Sequence, residues 1–217
     1  PQRVAYTAQT GKDARKKLIE DQVPILRPHM ATFRIRRVLK GMGNEAVEFR
    51  NGSRIVLLAS GMDSGHGKTL ELGVKDELFA DADERRDQAM VPAMATRPAA
   101  QMLTASTMGT AESIALNRAV ERGRLAVETG QRSGIAYFEW SAPDDSKQDD
   151  TAVWRACMPA LDEKITLDVV RHARSTLDLA EFRRAFLNIT DGRRGDPVIP
   201  VEDWLACLQM RSSVKQP

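Results

Sequence analysis

Hydrophobic and polar positions alternate along this chain in short runs that change period several times. Val4 to Tyr6 is a short apolar run of strand type, and Thr10 stands ready to cap a helix over roughly Lys12 to Gln22, with Pro24 just past its end. Phe33 to Val38 reads as an edge strand. Ala46 to Arg50 and Ser53 to Leu58 flank Asn51-Gly52. An Asn-Gly pair between two strand-like runs predicts a hairpin closed by a type I′ turn, which needs positive φ at both central residues. After the glycine-rich stretch Ser60 to Gly67, Leu70 to Val74 reads as a strand leading into Lys75-Asp76-Glu77. Leu70, Val74, Leu78 and Ala82 also fall at helical spacing.

Asp83 to Met94 is predicted as a polar helix and Gln101 to Leu103 as a further strand. Thr110 to Glu128 is predicted as the longest helix, capped by Thr110 and ended by Gly130. Gly134 to Trp140 reads as one more strand. The acidic segment Asp144 to Asp150 reads as a solvated linker, since it lacks the spacing and the glutamate of a calcium loop. The pattern then turns helical, with Asp178 and Glu181 forming a capping box for Leu179 to Asn188. Trp140, Trp154 and Trp204 are expected as core anchors of this later part. Strands alternating with helices predict an α/β fold, a parallel or mixed sheet covered by helices, followed by a small helical subdomain after about residue 141.

Composition changes this picture little. The 217 residues are 42% hydrophobic and 29% charged, enough for one good core and a small appendage. A formal net charge of +2 leaves room for a local basic track. Cys157 and Cys207 form no disulfide framework or paired metal signature, which fits a reducing compartment. No apolar run approaches the roughly 20 residues of a membrane span, and no signal peptide is evident. Pro1 is not a start methionine and a strand is already under way at Arg3, so the chain reads as a fragment or processed product. His29, His66 and His172 are scattered and make no ligand set. Arg34, Arg36, Arg37 and Lys40 form a basic cluster that reads either as a solvated face or as a contact to nucleic-acid phosphates.

Three stretches carry candidate chemistry. Gly61 to Thr69 approaches the phosphate loop G-x-x-x-x-G-K-[ST], but Met62 stands where the first glycine belongs, and a strand rather than a helix is expected after it. The bland alternative is a flexible glycine loop with an incidental lysine. Leu70 to Glu77 has the Walker B form, an apolar strand delivering Asp76 and Glu77 at its carboxyl end. The first carboxylate can hold Mg²⁺ and the second can take a proton from an attacking water. Taken alone, the pair reads more readily as a solvated acidic pair at a helix start. Thr104, Ser106 and Thr107 follow the next strand, where small hydroxyls can meet phosphate or can simply make a turn and a cap. In this order, each at a strand end, the last two stretches match the layout of P-loop ATPases with a catalytic glutamate.

Val4-Ala5-Tyr6-Thr7-Ala8-Gln9-Thr10, Phe49 to Ser53, Gly65-His66-Gly67, Asp76 to Ala80, Thr104 to Thr107 and Tyr137 to Pro143 together resemble successive blocks of phage terminase large subunits. The joint order and spacing of these blocks are specific. The resemblance implies an incomplete P-loop NTPase of the additional-strand, catalytic-glutamate type over residues 1–140. Residues 141–217 would be a linker subdomain leading toward a nuclease. It implies ATP and Mg²⁺ as cofactors, Asp76 as the metal ligand and Glu77 as the activator of water. Thr104, Ser106 and Thr107 would form a coupling motif, and His66 and Gly67 would stand near the nucleotide.

By the same resemblance the partners are double-stranded DNA, a portal protein, a small terminase subunit and further copies of the chain, in the host cytoplasm and at the procapsid portal. The family's phosphate loop would precede Pro1. His66 stands where many members carry an arginine, and Lys75 is unusual in a strand expected to be buried. Two rival readings stand beside this one. One is a non-catalytic prophage remnant or split-gene interaction module. The other is a self-sufficient NTPase using Gly61 to Thr69 as its loop.

Overall fold

In the computed structural model, residues 1–58 and 69–189 are described. The expected placements of His66, Gly67, most of the Gly61 to Thr69 stretch, Trp204 and Cys207 lie outside them. The described chain divides into two compact units. One comprises Pro1–Thr107 with Ser113–Ile135; the other comprises Met108–Glu112 with the chain from Ala136 onward.

The first unit is built on six strands: β1 (Arg3–Thr7), β2 (Ile35–Leu39), β3 (Ala46–Phe49), β4 (Arg54–Leu57), β5 (Leu72–Asp76) and β6 (Gln101–Ala105). Their order in the sheet is β2-β3-β4-β1-β5-β6. β4, β1, β5 and β6 run parallel, and β2 and β3 add an antiparallel edge. The α/β sheet and the edge position of Phe33 to Val38 are therefore as expected. Leu70 to Val74 enters a strand, not a helix. Glu71 lies just ahead of β5, where its carboxylate pairs with Arg97 at 3.0 Å.

Side-chain alternation along the strands separates two cores. On one face Leu18, Val23, Ile35 and Val47 pack together, with Tyr6, Ala8 and Ala14 beside them. The covering helices are α1 (Gly11–Lys16) and α2 (Val23–Leu26), joined through a π turn over Lys17–Gln22. On the other face Ala5, Leu58, Leu70 and Met90 form a core under α3 (Arg85–Met94). Gly73 makes this approach possible, since a Cβ there would lie 2.8 Å from both the Met102 sulfur and the Met94 methyl.

Thr10 caps α1 as expected, accepting from the Asp13 N–H. Pro24 does not follow the helix; it lies in the first turn of α2. Proline has no N–H to donate and its ring crowds the carbonyl four residues back, and the wide π turn ahead of it lets the rod continue in a changed register. The hairpin forms where Asn51-Gly52 predicts it, but not with a type I′ turn. Gly52 alone has positive φ, at 83°. Its N–H donates to the Phe49 carbonyl, and the Phe49 N–H donates to Ser53 O. These bonds describe a tight turn followed by a glycine bulge, which needs only one left-handed residue.

The longest helix, α4, spans Ile114–Glu128 and starts four residues later than expected. Thr110 instead closes a local turn, accepting from the Glu112 N–H at 3.3 Å. Gly130 ends α4 with φ of 65°, and the N–H groups of Gly130 and Gln131 donate to Val127 and Ala126. That is a Schellman stop. No strand forms over Gly134 to Trp140. An extended apolar segment becomes a strand only when it joins a ladder of backbone hydrogen bonds with a neighbouring strand.

The second unit contains α5 (Thr151–Cys157), α6 (Leu167–Thr176) and α7 (Leu179–Phe186). They close on a core of Trp154, Cys157, Val170, Phe182 and Leu187, with Trp154 edge-on to Phe182 at 6.0 Å. Trp154 is the anchor expected of it. Trp140 is not: it is 54% exposed and stacks on exposed Phe138. The acidic segment is more than solvated linker, for Asp150 caps α5 and Asp149 pairs with Arg174. Asp178 caps α7 through the Glu181 N–H, but Glu181 turns its carboxylate to Arg184 rather than back to the cap.

Candidate functional site

The carboxyl ends of β1, β5 and β6 meet at one edge of the sheet, with Asp76 in register with Ala105 and Lys75 with both Thr7 and Thr104. Successive residues of β5 point to opposite faces. Asp76 looks toward the α1 side and Lys75 toward α3.

Asp76 is partly exposed and held from two directions. The Tyr6 hydroxyl donates to its Oδ2 at 2.7 Å, and the Lys17 ammonium lies 3.8 Å from the same oxygen. Lys17 also lies 3.9 Å from Glu77 Oε1. Burial, and then the bond to Asp76, push the Tyr6 hydroxyl well above its ordinary range. Tyr6 therefore remains a donor at any physiological pH. Glu77 adopts a left-handed conformation, φ 56° and ψ 50°. That costs a side-chain-bearing residue roughly 1–2 kcal/mol and turns the chain sharply out of β5 into a short 3₁₀ turn over Leu78–Ala80.

The turn is fastened on both sides. The Phe79 N–H donates to Ser106 Oγ at 2.9 Å, Ser106 Oγ donates to Thr107 O, and Ser113 Oγ donates to the Phe79 carbonyl at 2.6 Å. On the α3 face Arg86 is buried. It reaches Asp81 at 3.0 Å, the Gln9 carbonyl at 3.1 Å and Thr7 Oγ1 at 3.3 Å. Burial raises the Asp81 carboxyl above its usual range and Arg86 pulls it back. Lys75, odd for a buried strand, is compensated by an ion pair with Asp87.

The expected residues are thus brought together unequally. Asp76 and Glu77 sit side by side at the sheet edge. Ser106 is committed to holding the turn after Glu77. Thr107 is exposed beyond β6. Thr104 lies within β6 and on the face opposite Asp76, where it is exposed. Sequence reasoning passed over Tyr6, Lys17, Asp81 and Arg86. A tyrosine in an apolar strand and a lysine within a Lys-Lys pair carry no signal until the β1–β5 register is known.

Two adjacent carboxylates that already draw an ammonium to within 4 Å have the hard oxygen donors that Mg²⁺ prefers. Among the described residues there is no group of three His, Cys, Asp or Glu side chains able to hold a metal without outside ligands. A divalent ion here would need oxygens from a bound phosphate or water. No described helix is long and apolar enough to cross a membrane.

No family model matches the sequence, and no curated protein matches it. Solved structures do. The large terminase of bacteriophage HK97 superposes with a TM-score of 0.71 at 16% identity, over 87% of this chain and 40% of that one. The large terminase of a thermophilic bacteriophage superposes with a TM-score of 0.55 at 12% identity, again over 87% of this chain and 40% of that one. A second crystal form of that thermophilic phage's terminase, in complex with ADP, reaches a TM-score of only 0.38, too low to carry the nucleotide across. The mixed six-stranded α/β sheet with its helices is thus the fold of phage large terminases, and the chain spans about two fifths of the length of those it matches.

Proposed function

We propose that this chain is the part of a terminase-type ATPase motor that follows the phosphate-binding loop. Asp76 would hold the Mg²⁺ of a bound ATP and Glu77 would activate water. The observation that carries the reading is the Asp76–Glu77 pair at the carboxyl end of β5, between parallel β1 and β6, with Ser106 tied to the turn behind Glu77. Ligands in open α/β sheets bind outside the carboxyl ends of the strands. Bound Mg²⁺ would neutralise phosphate charge. Tyr6 presents Asp76 with one oxygen engaged and the other available. The left-handed turn at Glu77 takes the chain out of β5, and its carboxylate, half-exposed beside Lys17, would take a proton from water. Ser106, through the Phe79 N–H, would couple movement of the β6 end to the position of Glu77. As part of such a motor the chain would act on double-stranded DNA, with a portal protein, a small terminase subunit and further copies of itself as partners.

The test uses the chain joined to the segment encoded ahead of it. Glu77→Gln is expected to lower ATP turnover by about 10²- to 10⁴-fold while nucleotide still binds. Asp76→Asn is expected to weaken Mn²⁺ binding in the presence of nucleotide, read by electron paramagnetic resonance. Unchanged turnover in Glu77→Gln would sink the assignment.

The self-sufficient NTPase is disfavoured by the course of the chain after Thr69. It runs through Leu70 into β5 and offers no helix N-terminus to receive phosphates. No observation favours a non-catalytic remnant, and restored hydrolysis on adding the preceding segment in trans would exclude it.

A further inference from the structure

Lys12, Arg15, Lys16 and Lys17 stand close together in the sequence, and the fold gives them different surroundings. Lys12 and Lys16 are exposed. Arg15 is engaged by Glu45 at 2.8 Å and by the Lys40 carbonyl. Lys17 opens the π turn that follows α1, and Leu18 beside it anchors that turn in the core. The Lys17 ammonium reaches the end of β5, 3.8 Å from Asp76 Oδ2 and 3.9 Å from Glu77 Oε1.

This contact is built to be replaced. Both distances exceed hydrogen-bond range, so charge attraction rather than a directed bond draws the ammonium there. The Lys17 side chain is 42% exposed, and lysine is a compact charge on a flexible stem, free to swing into water. Asp76 does not depend on it, because the Tyr6 hydroxyl already fixes Oδ2 at 2.7 Å. Glu77 takes its place from its own left-handed backbone. Lys17 therefore offsets the charge of the two carboxylates without being needed to place them.

From this geometry we infer that Lys17 is a stand-in cation, set between Asp76 and Glu77 while the site is empty and displaced when a divalent ion takes their oxygens. An ammonium within 4 Å of both carboxylates repels a dication placed on the same pair. Freed of it, the two carboxylates would draw metal from solution unaided. With it in place, metal enters more readily when further anionic oxygens, such as those of a phosphate, arrive with the ion and add to the attraction. Lys17 thus makes the site selective for a metal already carried by an anion over the free ion. The inference deepens the motor reading and rests on its assignment of Asp76 as metal ligand.

The experiment titrates the full chain with Mn²⁺ alone, without nucleotide, and reads binding from paramagnetic broadening of the Asp76 and Glu77 amide signals at low salt. Lys17→Met keeps the stem and removes the charge. It is expected to tighten Mn²⁺ binding about two- to fivefold, a gain that fades at high salt, where such contacts are screened. Lys17→Arg keeps the charge and is expected to bind as the unaltered chain does. Lys16→Met, exposed one place earlier, controls for the general loss of a positive charge and is expected to change affinity far less. Unchanged or weaker binding by Lys17→Met, or an equal gain in Lys16→Met, would overturn the inference. Should Asp76→Asn weaken binding in the same assay while Lys17→Met leaves it unaltered, the metal assignment stands and this inference alone fails. An Asp76→Asn chain that binds as well as the unaltered one would remove the metal assignment and the inference with it.

Discussion

The Tyr6 hydroxyl is the group whose chemistry depends most on its neighbours. It donates to Asp76 from a buried position, so its ionisation is opposed first by desolvation and then by the carboxylate charge. A folded-state proton affinity above that of the unfolded chain means that the native state holds its proton more tightly. Stability from this source is complete below the unfolded tyrosine value of about 10 and is lost as pH rises beyond it. In the Tyr137→Phe background, which leaves Tyr6 as the remaining tyrosine of two, tyrosinate absorbance is expected to appear only together with unfolding. Tyr6→Phe should remove the alkaline loss of stability that this residue causes. A freely titrating Tyr6 in the folded protein would contradict the bond to Asp76.

At the level of elements, two glycines separate steric from conformational need. Gly73 has ordinary strand geometry but no room: a Cβ would meet the sulfurs of Met102 at 2.8 Å and Met90 at 3.1 Å. Gly130 has open space but a φ of 65°. Gly73→Val is expected to cost about 1–3 kcal/mol by overpacking, softened by the flexibility of methionine. Gly130→Ala is expected to cost about 1–2 kcal/mol through left-handed strain alone. Urea unfolding measures both. An additional Met102→Ala change, which removes one of the two closest contacts, should relieve part of the Gly73→Val penalty and leave that of Gly130→Ala unaltered.

Across the whole first unit, the two sheet edges differ. β2 is guarded by arginines, whereas β6 presents Leu103 at 55% exposure with Thr104 and Ala105 also exposed. An uncovered strand edge with an apolar side chain invites another strand. The 217-residue chain alone is therefore expected to associate with rising concentration in light scattering, and Leu103→Lys to reduce that association without lowering the melting temperature. Concentration-independent scattering by the unaltered chain would show the edge to be protected.

Local signals determined a good part of this protein. The strand before Asp76-Glu77, the Thr10, Asp150 and Asp178 caps, the Gly130 stop and the position of the hairpin are written in residues within a few places of one another, because short-range sterics and capping bonds decide them. The alternation of strands and helices sufficed for the α/β class. Tertiary structure alone decided what depends on a partner distant in sequence. The β1–β5 register places Tyr6 and Lys17 on Asp76 across some sixty to seventy residues. Buried Lys75 and Arg86 are tolerable because Asp87 and Asp81 meet them. Gly134 to Trp140 has a strand's composition and yet forms no strand, for a strand needs a neighbouring strand to complete its ladder. Glu48 meets both Arg37 and Arg54 only because three neighbouring strands bring these residues level.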